Sequence, residues 1–162
     1  MFAKFAGRTA AVLSLMAGLA TAAGAQTQTV NFEVKPINQF SITSTAVTLT
    51  ITTATAGSDP TPVTDASSVW AITTNQTNAK ISANIPTDMP AGVTLAVLLG
   101  QPAGATSTSK NLASGAAQDL VTGITKLKAT GLTVTYTLSA TAAAGVIPAD
   151  SRVVTYTMTP GT

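Results

Sequence analysis

Leu132-Thr133-Val134-Thr135-Tyr136-Thr137-Leu138 is the stretch on which the fold class turns. Apolar and hydroxyl side chains alternate with a period of two, so an extended strand carries Leu132, Val134, Tyr136 and Leu138 on one face and a row of threonines on the other. Threonine suits that second face: its β-branched stem fits a pleated surface and its hydroxyl meets water or a neighbouring strand. The same alternation recurs in Val47-Thr48-Leu49-Thr50-Ile51-Thr52-Thr53. It recurs again in Thr29-Val30-Asn31-Phe32-Glu33-Val34-Lys35, where Val30, Phe32 and Val34 share a face. All three are expected to be half-buried strands.

Further strands are expected over residues 39–43, 69–74, 79–85, 93–99, 120–124 and 152–158, each bounded by Pro, Gly, Asn, Asp or Ser. Residues 93–99 are apolar on both faces at their end, which predicts a central strand covered on both sides. Loops are expected at 57–62, 86–92 and 145–150, where Gly, Pro and Asp cluster. The long Gly-, Ala-, Ser- and Thr-rich stretch 101–118 is expected to add an edge strand near 110–113. No 3.6-residue apolar stripe follows the first 25 residues, and no repeat of solenoid length is visible. The pattern predicts an all-β protein, an immunoglobulin-like, Greek-key β-sandwich of about seven to nine short antiparallel strands. The strands are too short, and the 4% aromatic content too low, for a membrane barrel.

The first 25 residues read differently. Lys4 and Arg8 precede an uncharged run at 9–22, and Ala23-Gly24-Ala25 supplies small residues for a signal peptidase of bacterial style. Residues 1–25 are therefore expected to be a cleaved signal peptide and 26–162 the β-sandwich domain. The destination is outside the cytoplasm: secreted, on the cell surface or periplasmic, with no membrane-spanning segment in the mature chain.

Lys4 and Arg8 also account for the whole formal charge of +2, because the remainder balances six basic residues against six acidic ones. Of those basic residues only Lys126 and Lys128 lie close together, so no phosphate-binding cluster exists and nucleic acid is not an expected partner. Charged residues make up only 9% of the chain. There is no Cys, which removes disulfides, thiol nucleophiles and lipid attachment at the cleavage site. There is no His either, which removes the usual near-neutral proton shuttle and most zinc sites.

Few residues remain for chemistry. Asp59 and Asp65 flank a Pro-rich turn, but calcium needs six to eight oxygens and no calcium-loop spacing is present, so both read as turn formers. The acid inventory is Glu33, Asp59, Asp65, Asp88, Asp119 and Asp150, and no spacing pairs two of them for acid-base work. Trp70 is the single Trp; a glycan platform would need several exposed aromatics, and burial against the opposite sheet is expected instead. Phe32, Phe40, Tyr136 and Tyr156 occupy core-like strand positions. Asn75-Gln76-Thr77 matches a glycosylation acceptor, to which no role is assigned. No catalytic, cofactor-binding or metal-ligating residue and no cofactor is expected.

A Thr- and Tyr-rich strand, Arg152-Val153-Val154-Thr155-Tyr156-Thr157-Met158-Thr159, closes the domain, and 29–35 opens it. This arrangement resembles secreted bacterial β-sandwich proteins of the fimbrial-subunit and surface-filament kind, although the chain lacks the Cys pair typical of chaperone-usher subunits. The resemblance implies a structural, assembly or adhesive role. The expectation is therefore a non-enzymatic surface protein whose partner is itself, through strand edges at 29–35, or another surface protein. The alternative is an extracellular small-ligand or glycan-binding module.

Overall fold

A computed structural model describes residues 24–43 and 46–161. Residues 1–23, on which most of the expected signal peptide falls, lie outside the described residues. The chain divides into one unit ending at Glu33 and a second running from Val34 to Thr162. The described part of the first, residues 24–33, has no regular secondary structure and is exposed throughout.

The second unit is a sandwich of antiparallel strands. In chain order these are β1 (Asn38–Ile42), β2 (Val63–Thr74), β3 (Ala79–Asn84), β4 (Val93–Leu99), β5 (Thr106–Ser107), β6 (Lys110–Asn111), β7 (Gln118–Ile124), β8 (Leu127–Ala140) and β9 (Thr155–Thr159). One sheet has the order β1-β2-β8-β4-β6 and the other β5-β7-β3-β9. The core is filled from both: Trp70, Ile72, Val97, Leu99 and Val134 from the first sheet meet Ile81, Leu120 and Ile124 from the second. As the alternation requires, Val134 is buried while Thr133 on the other face is exposed.

β2 and β8 form the longest ladder, and two irregularities shape it. Between Asp65 and Ser68 three steps on β2 oppose two on β8, from Tyr136 to Val134, so the extra residue lies on β2. Asp65 stabilises that bulge: its Oδ1 accepts the Ser67 N–H at 3.1 Å and the Ser67 hydroxyl at 2.8 Å. Between Trp70 and Ile72 the extra residue is on β8, opposite Leu132 and Ala129, and Gly131 sits there at φ 68°. A Cβ on Gly131 would touch nothing within 4 Å, so a substitution costs only the left-handed backbone. Gly131→Ala is expected to lower stability by about 1–2 kcal/mol in urea unfolding. An unchanged midpoint would mean the bulge relaxes freely.

Four expectations need correction. Residues 29–35 are not a strand: they join no ladder and are exposed, with Phe32 at 92% against its expected core position. Among the described residues, 46–53 also join no ladder, although Val47, Leu49 and Ile51 are half-buried and Thr48, Thr50 and Thr52 exposed. Beyond the last β1 pair the Thr43 N–H still reaches the Val69 carbonyl at 2.8 Å, and the Thr61 N–H reaches the Thr53 carbonyl at 2.9 Å beside the isolated bridge Ala54 to Pro60. β4 is covered on one face only, since Val97 and Leu99 are fully buried while Leu98 is 37% exposed. The last strand begins at Thr155 and not at Arg152. The edge strand expected near 110–113 is present as β6, paired with β4 at Ala96 and Val97.

Candidate functional site

Two features of the molecule stand out, an exposed apolar segment and an open sheet edge. The first is the segment 29–35. Val30, Phe32 and Val34 are 72, 92 and 76% exposed, spaced two apart in the chain. Large apolar side chains in such a row carry a free-energy cost in water of roughly 1.5–3 kcal/mol each relative to burial. Lys35 and Pro36 close the segment with a charge and a missing N–H donor.

The second feature is the side of the sandwich made by β1 and β9. β9 is an edge among the described residues: it pairs with β3, from Lys80 opposite Thr159 to Asn84 opposite Thr155, and with no described strand on its other side. Its inward side chains Tyr156 and Met158 are only half-buried. Phe40 of β1 bridges the two sheets here, with its ring centroid 6.0 Å from Trp70 and 6.1 Å from Tyr156. The hydroxyls of Tyr156 and Tyr136 lie 2.7 Å apart and share one hydrogen bond. Burial, reinforced by that bond, pushes the Tyr156 phenol far above its ordinary range.

The five aspartates are dispersed, each committed to local structure, and Glu33 lies on the exposed segment before β1. Asp59 Oδ1 accepts the Ala142 N–H at 2.9 Å, whereas Asp65 lies in β2 opposite Tyr136. Roughly 13 Å of strand separates Tyr136 from Ala140 alone, so the two aspartates do not share a ligand. Asp119 pairs with Lys80 Nζ at 3.0 Å on an exposed part of the surface. Arg152 ties two loops together: Nη1 donates to Asp150 at 2.6 Å while Nε and Nη2 donate to the Asp88 carbonyl at 3.2 and 3.0 Å. The Arg152 hydrogen bond, then the Ser151 N–H, hold the Asp150 carboxyl below its usual range. The Ser114 N–H, 2.5 Å from Asp88 Oδ1, does the same for Asp88. Among the described residues no three of His, Cys, Asp and Glu gather as a metal set, and no helix is long and apolar enough to cross a membrane.

A hollow of about 410 Å³ opens between the loop at Ser58 and Asp59 and the ends of β4 and β8. It brings the hydroxyl-bearing residues Thr94, Ser139 and Thr141 beside Asp59, with no aromatic in its walls. Trp70, at 1% exposure, is core and offers no platform to a sugar ring. Asn75 was noted in the sequence only as part of a glycosylation pattern; in the fold its carboxamide accepts the Ile37 N–H at 2.7 Å and donates to the Lys35 carbonyl at 2.9 Å. Comparison of the chain with protein-family models, with curated proteins and with solved structures gives no match.

Proposed function

We propose that this is a non-enzymatic structural or adhesive β-sandwich of the bacterial cell exterior, and that it works by self-association through strand edges. The segment 29–35 of one copy completes an open ladder on a second. The exposure of Val30, Phe32 and Val34, apolar residues spaced two apart in the chain, carries this reading. Such a row has the period of a strand that lacks only a partner, and an extended peptide added to a sheet edge gains main-chain hydrogen bonds together with burial of alternate side chains. β9 supplies an edge of that kind. Segment and edge are different surfaces of the molecule, so the contact is heterologous, and repeating it without closure gives a filament. Supporting the non-enzymatic half of the reading, the five aspartates are dispersed and each is held by its own neighbour.

Phe32→Asp in the full chain tests the proposal, because the residue is exposed and its replacement leaves the sandwich core untouched. Removing one buried Phe from each contact and adding a charge should raise the dissociation constant by at least about tenfold to 100-fold. Sedimentation velocity, with negative-stain microscopy of the same samples, reads the change. A wild-type chain that remains monomeric at high concentration, or a Phe32→Asp chain that assembles as well as wild type, would overturn the reading.

A further inference from the structure

We infer that Asn75 is a positioning residue, a clasp that ends the β1 to β2 ladder and keeps the segment upstream of it available to a second copy. The inference rests on the reading of 29–35 as the association segment. It starts from the register: β1 and β2 pair from Ile42 opposite Trp70 to Asn38 opposite Thr74, and Asn75 N–H then donates to the Ile37 carbonyl at 3.2 Å. In that same pair the second bond changes partner. The Asn75 carboxamide, not a peptide group, takes the Ile37 N–H at 2.7 Å and gives its own N–H to the Lys35 carbonyl at 2.9 Å.

A side-chain amide has the same donor and acceptor as a peptide bond, so this arrangement satisfies the Ile37 N–H and the Lys35 carbonyl, which the Asn75 carbonyl and the Thr77 N–H would otherwise take if the ladder ran on in the same register. Pro36, between them, has no N–H to offer. The adjoining pair is fixed as well: Thr74 Oγ1 donates to Asn38 Oδ1 at 2.8 Å, and Asn38 Nδ2 donates to Gln76 Oε1 at 2.6 Å. With Lys35 and Ile37 already bonded, extension of the chain's own ladder past Ile37 would have to break the clasp. Residues 29–34 are thus denied a place beside β2, and the segment starts from a fixed base. A fixed base means less conformational entropy is lost when a second copy is bound.

Asn75→Ala removes both side-chain bonds and Asn75→Asp keeps the acceptor for Ile37 while placing an oxygen against the Lys35 carbonyl. Asn84→Ala, which removes an amide bond to the Gly115 carbonyl from β3, serves as the surface control. Trp70 fluorescence confirms that each variant retains its core. In Asn75→Ala the Ile37 amide should exchange with solvent about tenfold faster. The concentration for half-association should rise about tenfold, with Asn75→Asp between Ala and wild type. Asn84→Ala should match wild type in both. Unchanged Ile37 exchange in Asn75→Ala, or raised exchange with unchanged association, overturns the clasp while wild-type assembly leaves the reading of 29–35 intact. A monomeric wild type removes that reading, and the clasp's role with it.

Discussion

Trp70→Ala is expected to lower the unfolding free energy by about 3–5 kcal/mol, the range for truncating a large buried aromatic. Trp70 is 1% exposed on β2, opposite Leu132 of β8, with Ile72 on the same face and Phe40 packed 6.0 Å away. Its removal leaves a cavity between the sheets that Phe40 alone cannot fill without withdrawing from Tyr156, 6.1 Å on its other side. A chain without Cys has no cross-link to compensate, and natural domains hold only about 5–15 kcal/mol in total. A large share of the variant should therefore be unfolded at mild denaturant concentrations. Trp70→Phe should be far milder. The indole Nε1 has no acceptor among the described residues, so a Phe side chain retains most of the apolar volume while removing an unsatisfied donor whose burial costs about 1–3 kcal/mol. Urea unfolding followed by circular dichroism gives both values, and wild-type Trp emission should be blue-shifted. Emission like that of free Trp in water, or a loss below about 1 kcal/mol for Trp70→Ala, would contradict this packing.

Periodicity proved a good guide to faces and a poor guide to partners. The pattern in 132–138 lies within β8, and 93–99 matches β4 residue for residue, because each strand has a long neighbour that enforces the alternation. Alternation alone does not create a ladder. Residues 46–53 have the expected half-buried Val47, Leu49 and Ile51, yet no strand is in register beside them. The first half of β2 was invisible for the opposite reason. The bulge at Ala66 and Ser67 breaks the period, so Val63 and Asp65 face inward on one phase and Ser68, Trp70 and Ile72 on the other. β5 is two residues long and carries no period at all.

The same limit applied to the site. The row Val30, Phe32 and Val34 was legible as a strand face, but whether a face is buried depends on a partner that is not encoded locally. Asn75 bonds across 38 and 40 residues to Ile37 and Lys35, a relation that no local pattern announces. The pairing of Tyr136 with Tyr156 likewise joins strands of different sheets.

That tyrosine pair sets the alkaline limit of the fold. Tyr156 is half-buried beside Phe40 and bonded to Tyr136, and burial first, then that bond, raises its pKa above the value near 10 that it has in the unfolded chain. The folded state thus favours the neutral phenol. Its contribution is fully present below pH about 10 and is lost as pH rises from there towards the folded pKa, because over that window the unfolded chain releases a proton that the folded chain retains. The slope from this one group is about 1.4 kcal/mol per pH unit, steep enough to exhaust a marginal domain within a few units. Tyr156→Phe separates this effect from general base damage. At neutral pH the variant should be less stable by about 1 kcal/mol, since the Tyr136 hydroxyl loses its partner. Above pH about 10 wild type should fall more steeply than the variant, so that the two stability curves converge and cross. Urea midpoints across that range decide the matter: curves that stay parallel would show that the Tyr156 hydroxyl ionises as readily in the folded chain as in the unfolded one, and that the seam between β8 and β9 is open to water.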